Sequence, residues 1–222
     1  MRQVCAALVA FSRRGWGTEV VVCDNNSTDR TAEVARAARA RVVFEPVNQI
    51  ARARTTGAAA ASGDWFLFLD ADSHPSTELF SEVADQIEAA QCLAGGCTLR
   101  IEGHHPVAKL VTGLWNGVSR VGRLLAGSFI FCEAEAFRAV GGFSHELFAG
   151  EEIDLSKRLK RLAKIRGKRI VILHRHPLLT SARKLRLYTP GEHIWFFLKA
   201  LCLPKRTLAS RDECHTWYDG RR

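Results

Sequence analysis

The chain has too few suitably spaced cysteines for a disulfide framework or a common zinc site. It contains seven cysteines, an odd number, scattered along 222 residues without a Cys-x-x-Cys pair. The closest pair, Cys92 and Cys97, has the wrong spacing for zinc ligands. Scattered, unpaired cysteines are typical of proteins in a reducing compartment. The sequence therefore predicts a cytoplasmic protein.

Long apolar segments are also missing. No uninterrupted apolar run reaches the roughly 18 to 20 residues that span a bilayer, and the N-terminus lacks the apolar core of a signal peptide. The best candidate span, residues 194–203, is too short and contains Lys199. These features predict a protein that is soluble or attached peripherally to the inner face of the membrane.

Acidic residues are fewer than basic ones, and the formal net charge is +9. Such an excess favours polyanionic partners, namely nucleotide phosphates, nucleic acid or anionic lipid surfaces. No recognised nucleic-acid module is present, and aromatic residues do not alternate with the basic ones as they do in stacking platforms. We therefore expect no specific nucleic-acid partner. The apolar fraction of 47% and the charged fraction of 25% are those of a globular domain.

Strand-like and helix-like segments alternate over the first ninety residues. Short apolar strands at 19–23, 41–44 and 64–69 are separated by Ala-rich helices, and an amphipathic helix follows at 76–89. This order predicts an α/β fold with a doubly wound, mostly parallel sheet flanked by helices. We expect one domain over 1–182, and a basic extension over 183–222 that packs on the domain or on a membrane surface.

An acidic pair ends the third strand. Asp70 and Asp72 directly follow the apolar run Trp65–Leu69, at the strand end where open α/β sheets bind ligands. Two carboxylates at this spacing suit a hard divalent cation, Mg²⁺ or Mn²⁺, which in turn suits a diphosphate. The alternative is an ordinary turn, because turns are rich in aspartate.

Two further polar clusters lie where a predicted strand ends and where a predicted helix begins. Asp24 and Asn25 come directly after the first strand, where their side chains could contact a base or ribose, or could form a polar turn before a helix. Glu151, Glu152 and Asp154 open a later helix. Carboxylates in a first turn are favoured by the helix dipole, but three in four positions exceed what capping needs. One of them could act as a base toward a hydroxyl group.

The order of these segments resembles that of the family 2 glycosyltransferases, which have the GT-A fold. The resemblance covers residues 15 to about 175 and is carried by five segments taken together: EVVVCDNNSTDRT, ARTTG, ASGDWFLFLDADS, GSFIFCEAEAFRAVGGF and GEEIDLSKRL. It implies a GT-A-type sheet and metal-dependent transfer of a sugar from a nucleotide-diphosphate sugar to an acceptor hydroxyl. The donor is expected to be a UDP-sugar, with guanosine donors next.

The resemblance also implies roles for individual residues. Asp24 and Asn25 would contact the base and ribose of the donor, and Arg54 would support the base or the diphosphate. Asp70 would face the ribose or the metal, and Asp72 would coordinate Mg²⁺ or Mn²⁺. At the later helix, the acceptor hydroxyl would lose its proton to a carboxylate and attack the anomeric carbon with inversion. That base would be Glu152, where the family usually has Asp. Glu151 and Asp154 would support it or help to orient the acceptor and the helix.

The chain departs from the family pattern at its start. The family opens with a strand and a Pro-x-x-Asn-Glu-like loop, whereas this chain begins at what should be the following helix. An alternative function is therefore a catalytically silent, truncated homologue acting as a binding or scaffold module. The Gln-x-x-Arg-Trp motif of processive members is absent, which favours transfer of a single sugar.

Two remaining segments bear on whether the protein binds a membrane surface. Residues 157–169 carry eight Lys or Arg residues on a helix and its exit, which suits either a solvated face or docking on anionic lipid headgroups. The apolar segment 193–204 could lie in a membrane interface or pack on the domain. An acceptor linked to lipid follows as a hypothesis, and the acceptor itself is not identified by the sequence.

Overall fold

A computed structural model of the chain describes residues 1–103, 106–181, 207–214 and 218. The helices are α1 (Arg2–Ala7), α2 (Val9–Ser12), α3 (Thr31–Ala37), α4 (Ile50–Ala60), α5 (Thr77–Glu88), α6 (Pro106–Gly122), α7 (Ala134–Ala139) and α8 (Glu151–Ile165). The strands are β1 (Val21–Asp24), β2 (Arg41–Phe44), β3 (Trp65–Leu69), β4 (Ser73–His74), β5 (Cys92–Ile101), β6 (Phe129–Glu133) and β7 (Arg169–Thr180).

The predicted alternation of strands and helices is confirmed in the first half of the chain. β1 and β2 pair in parallel, with Val21 opposite Arg41 and Asp24 opposite Phe44. α4 packs on both strands. The start of β1 is also tied to the start of β3, because Glu19 accepts hydrogen bonds from the backbone N–H groups of Ser62 and Gly63. These contacts hold the amino-terminal ends of β1 and β3 together.

The remaining strands form a five-stranded sheet in the order β3-β6-β5-β7-β4. β5 and β7 are parallel, whereas β6 runs antiparallel between β3 and β5, and β4 runs antiparallel to the end of β7. The expected α/β fold is confirmed, with parallel pairs in both sheets. The antiparallel direction of β6 departs from the predicted mostly parallel sheet, because an apolar run does not reveal the direction of its strand.

Helices cover both faces of the larger sheet. Alternate residues of β6 point to opposite sides, so that Ile130 and Cys132 join a core with α4, α7 and α8, and Phe129 and Phe131 join a second core with α1, α2 and α5. Gly95 on β5 allows this packing, because a Cβ atom there would lie 2.3 Å from the Phe131 ring.

Three elements of the second half lie outside the segments predicted from the sequence. α6 is one continuous helix, β7 extends to Thr180, and α7 follows β6 directly. No helix in the described part of the chain is long and apolar enough to cross a membrane. The predicted apolar segment 193–204 lies outside the described residues. Residues 207–214 contact the loop before α8, where the Phe148 N–H donates to the Leu208 carbonyl at 2.7 Å.

Candidate functional site

Arg54 is the centre of a cluster that joins α4, β3 and α8. Its guanidinium donates to Asp70 Oδ1 and to Glu151 Oε1, each at 2.8 Å, and to the carbonyl oxygen of Gly127 at 2.7 Å. The guanidinium carbon lies 5.4 Å from the centre of the Phe143 ring. The side chain is 12% exposed. A buried cation is stable here because two carboxylates and a carbonyl satisfy it.

The charges around Arg54 keep it protonated. Burial alone would lower the pKa of its guanidinium, but the attraction of Asp70 and then of Glu151 outweighs burial and raises that pKa. Asp70 is placed by the end of β3, where its backbone N–H donates to the Ser128 carbonyl at 3.3 Å. Asp70, which is predicted to bind the donor, and Glu151, which is predicted to be catalytic, therefore bind the same arginine.

Glu151 and Glu152 form the first turn of α8. Gly150 precedes them in the left-handed conformation, with φ of 74°, which favours glycine. Burial raises the pKa of Glu151, and Arg54 opposes that rise. Burial and then the neighbouring Glu151 charge raise the pKa of Glu152 to about 7. A carboxylate with this pKa is a competent proton acceptor near neutral pH.

Gly127 brings this cluster close to the backbone. A Cβ atom at Gly127 would lie 3.2 Å from one terminal guanidinium nitrogen of Arg54 and 3.6 Å from the carboxyl carbon of Glu152. No local pattern marks Gly127 as a site residue, although it begins the GSFIF segment. Its small size allows Arg54 and Glu152 to approach the same stretch of chain.

Asp154 belongs to a different set of contacts. Its carboxylate accepts hydrogen bonds from Arg158 one turn later, at 2.6 and 2.9 Å, and Arg158 also donates to the Val140 carbonyl. This pair ties α8 to the end of α7. The structure thus groups Glu151 and Glu152 with Arg54 and pairs Asp154 with Arg158.

The loop after β1 is built by Asn25. Its amide nitrogen donates to the carbonyl oxygens of Glu45 and Val47 at 3.1 and 2.6 Å, and its oxygen accepts the Gln49 N–H at 3.1 Å. Asp24 Oδ1 accepts the Ser27 N–H at 3.0 Å, which closes the turn. Both residues therefore shape this end of the sheet, and their contacts with a base or ribose stay a prediction.

Asp72 lies two residues after Asp70, half-buried in the turn between β3 and β4. Among the described residues, no three or more His, Cys, Asp or Glu side chains are grouped so that they could hold a metal ion. The donor set at this turn is two carboxylates, and Arg54 already binds one oxygen of Asp70. Hard oxygen ligands of this kind fit Mg²⁺ or Mn²⁺ when phosphate oxygens and water complete the shell.

Two sets of hydrogen bonds join the start of α4 to segments that are distant in the sequence. Gln49 is buried and its amide donates to the carbonyls of His145 and Leu147 at 2.8 and 2.9 Å. The Ile50 N–H, at the first residue of α4, donates to the Tyr218 hydroxyl at 3.2 Å. Burial raises the pKa of Tyr218 to about 12. No local pattern in the sequence signals either contact.

The family described as glycosyl transferase family 2 matches residues 10–127, which is more than half of the chain. The pre-mycofactocin glycosyltransferase of Mycobacterium tuberculosis is 32% identical over 123 residues, covering 49% of this chain and 26% of that protein. The chain spans about a quarter or less of the length of the curated relatives it matches.

Solved structures show the same fold at low sequence identity. Staphylococcus aureus TarS, residues 1–349, aligns with a TM-score of 0.61 and 18% identity, covering 96% of this chain and 64% of that one. Glucosyl-3-phosphoglycerate synthase from Mycobacterium tuberculosis, in complex with Mn²⁺, UDP-glucose and phosphoglyceric acid, aligns with a TM-score of 0.58 and 19% identity. That alignment covers 93% of this chain and 75% of the synthase.

Proposed function

Because the chain belongs to glycosyl transferase family 2, we propose that it transfers a single sugar from a nucleotide-diphosphate sugar to an acceptor hydroxyl with inversion. The observation that carries this proposal is the placement of Glu152. This carboxylate has a pKa of about 7 and lies beside the cluster in which Arg54 binds the first carboxylate of the Asp-x-Asp pair. A proton acceptor and a diphosphate-type site are thereby adjacent.

The donor would bind at the carboxyl ends of β1 and β3. Asp24 and Asn25 would contact the base and ribose, with Arg54 supporting the base or diphosphate and Asp70 facing the ribose or the metal. We favour a UDP-sugar, since a TarS structure contains UDP-GlcNAc and the mycobacterial synthase structure contains UDP-glucose. Arg54 already binds two carboxylates, so its part is mainly to hold Asp70 and Glu151 in place.

Asp70 and Asp72 would hold the divalent metal, Mg²⁺ or Mn²⁺. When bound, such an ion neutralises the charge of the diphosphate leaving group as a Lewis acid. The Mn²⁺ in the mycobacterial synthase structure supports this assignment. Substituting one of these two carboxylates tests whether the site binds a metal.

Glu152 would accept the proton of the acceptor hydroxyl. The oxygen then forms a bond to the anomeric carbon from the face opposite the diphosphate, the bond from that carbon to the diphosphate oxygen breaks, and the nucleoside diphosphate leaves with the electron pair. Glu151, bound to Arg54, would keep Glu152 in place and raise its basicity through its charge. Asp154 would stabilise α8 through Arg158.

A second candidate is a catalytically silent member that acts as a binding or scaffold module. One observation favours it: within the described residues, β1 and β2 form a sheet of their own rather than continuing the sheet that contains β3. A donor site that spans β1 and β3 would then lack a continuous strand framework.

Calorimetric titration of UDP and GDP, with and without Mn²⁺, separates the two candidates. Metal-dependent binding by the wild type that is lost in Asp72→Ala would support the transferase. Asp64→Ala is the matched control, because Asp64 is an exposed residue just before β3, and it should bind as the wild type does. A folded chain that binds neither nucleotide would favour the scaffold module.

Location and domain organisation complete the proposal. We place the protein in the cytoplasm with peripheral attachment to the inner face of the membrane, where a lipid-linked acceptor would be available. We divide the chain into a transferase domain at 1–182 and a basic extension at 183–222. The contact of Leu208 with Phe148, and the packing of Cys214 beside Ala149, support an extension that packs on the domain.

A further inference from the structure

Helix α6 has its apolar and polar faces exchanged relative to an ordinary surface helix. Its exposed face carries a stripe of Leu110, Leu114, Val118 and Val121, whose exposed fractions are 66%, 64%, 54% and 90%. The spacing of four, four and three residues places these side chains on one side of a helix. Surface helices of globular proteins normally turn such residues toward the core.

The inner face of α6 is small and polar instead. Thr112 and Ser119 are buried, and Asn116 binds the β5 backbone, accepting the Leu99 N–H and donating to the Leu99 carbonyl, each at 2.9 Å. The Ser119 hydroxyl donates to the Leu124 carbonyl at 2.6 Å. Hydrogen bonds therefore hold the helix to the body, and its apolar side chains contribute little to the core.

The end of the apolar stripe meets a group of cations. Arg120 and Arg123 are exposed, and they line a cleft with Arg169 and His174 whose described lining residues include no Asp or Glu. Lys160 donates to the Gly122 carbonyl at the end of α6. Burial, and then the positive charges of Arg123 and Lys157, lower the pKa of Lys160.

Three other cations of the 157–169 segment are neutralised within the protein. Arg158 binds Asp154, Arg166 binds Glu133 and Glu135, and Lys168 binds Glu133. Arg120, Arg123 and Arg169 form no ion pair within the described residues, so positive charge remains beside the apolar stripe of α6. An apolar stripe bordered by cations matches the two layers of an anionic bilayer surface, acyl chains below and phosphates above.

We propose that α6 is the membrane-docking element of this protein, with the stripe Leu110, Leu114, Val118 and Val121 inserted at the acyl boundary of an anionic bilayer. Arg120, Arg123, Lys160 and Arg169 bind the lipid phosphates. This surface rests on the peripheral attachment proposed above but not on the transfer reaction. An anionic bilayer accounts for both the apolar stripe and the adjacent cations.

Co-sedimentation of the full chain with vesicles tests the proposal. Vesicles of phosphatidylcholine with phosphatidylglycerol should bind the wild type, and vesicles of phosphatidylcholine alone should bind it markedly less. Leu114→Ser/Val118→Ser should weaken binding about tenfold or more, since two apolar side chains leave the acyl boundary. Arg120→Glu/Arg123→Glu should weaken it at least tenfold, from roughly fivefold for each cation removed.

Two controls on α3 match the test variants. Val34→Ser replaces an apolar side chain that is 56% exposed, and Arg36→Glu reverses an exposed cation. Both should bind vesicles as the wild type does, and so should Asp72→Ala, which separates this surface from donor binding. Equal binding by the α6 variants and their controls, or no binding by the wild type, would overturn the proposal.

Thermal unfolding of the α6 variants supplies an independent criterion. Because Leu114 and Val118 are exposed, Leu114→Ser/Val118→Ser should change the melting temperature no more than Val34→Ser does. A much larger drop would mean that this protein, or a second copy of it, covers the stripe in solution, and the lipid assignment would be wrong.

Discussion

Arg54 and Glu151 form a buried ion pair across 97 residues of sequence, with a guanidinium nitrogen 2.8 Å from the carboxylate oxygen. The pair joins α4, which packs on β1 and β2, to α8, which carries Glu152, the carboxylate proposed as the base. Asp70 accepts from the same guanidinium. One arginine thus fixes the position of Asp70, proposed to bind the donor, relative to the start of α8.

Removing the base should abolish transfer without abolishing donor binding. Glu152→Gln preserves the size of the side chain but cannot accept a proton at neutral pH, so the transfer rate should fall by about 10²- to 10⁴-fold. Calorimetric titration of UDP with Mn²⁺ should give wild-type affinity. Glu146→Gln is the control, because Glu146 is an exposed carboxylate in the loop before α8, and its rate should be unchanged. A Glu152→Gln enzyme with normal turnover would assign the base elsewhere.

The pH dependence of transfer should follow the same carboxylate. Only the deprotonated form of Glu152 accepts a proton, and its pKa is raised to about 7, so kcat/KM should rise with pH and level off above neutrality. Values of kcat/KM measured on the wild type from pH 5 to pH 9 would show this rise and the plateau above neutrality. A rate independent of pH over the acidic half of that range would contradict the role.

Glu152 should also lower the stability of the fold at neutral and alkaline pH. Its pKa is higher in the folded protein than the ordinary value of 4.5, so the folded state holds the proton more tightly. Stability is then greatest below that ordinary value and falls as pH rises through about 7. Glu152→Gln should therefore raise the melting temperature at pH 8 and change it little at pH 4. Scanning calorimetry at both pH values measures the difference, and equal shifts would refute the burial argument.

Breaking the Arg54 cluster should be costly to stability. Arg54→Met leaves Asp70 and Glu151 without their cation in a partly buried site, and loss of a buried partner destabilises by about 3–5 kcal/mol. Arg30→Met breaks the exposed pair with Glu33 and should cost about 0–1 kcal/mol. Urea unfolding of both variants gives the comparison. Similar costs for the two would mean that Arg54 is less important to the fold than its contacts imply.

A side chain at Gly127 should disturb the Arg54 cluster. Gly127→Ala would place a methyl group 3.2 Å from an Arg54 nitrogen, so the guanidinium that binds Asp70 and the Gly127 carbonyl would have to shift by a few tenths of an ångström. We expect weaker metal-dependent UDP binding and a slower transfer rate. Gly17→Ala, where a Cβ atom would meet nothing within 4 Å, is the control. Unchanged UDP affinity in Gly127→Ala would show that the cluster adjusts without consequence for the donor.

The sequence predicts the elements that local pattern encodes. The apolar run Trp65–Leu69 and the β-branched run before Asp24 are strands because neighbouring residues alone favour them. The helix that begins at Glu151 is likewise visible in its charge and periodicity. The direction of β6 and the exchanged faces of α6 depend on tertiary contacts, and periodicity cannot distinguish an inner from an outer apolar face.

The candidate site is also predictable from the sequence only in part. Asp70, Glu151 and Glu152 can be chosen from the sequence because carboxylates accumulate at a strand end and a helix start. The arginine that Asp70 and Glu151 share cannot be deduced from a local pattern, since Arg54 is 16 residues from Asp70 and 97 from Glu151. The structural use of Asn25 is equally hidden, because its hydrogen bonds go to backbone groups 20 to 24 residues away.

The geometry of α4 depends on an intact C-terminal region, because the Tyr218 hydroxyl binds the start of this helix. The hydroxyl accepts the first N–H of the helix that carries Arg54, across 168 residues of sequence. Proteolysis or a cloning boundary upstream of this tyrosine would leave that N–H unsatisfied and loosen the helix start. Preparations that differ only at their C-terminal ends would then differ in nucleotide affinity, although every residue assigned to the reaction is intact.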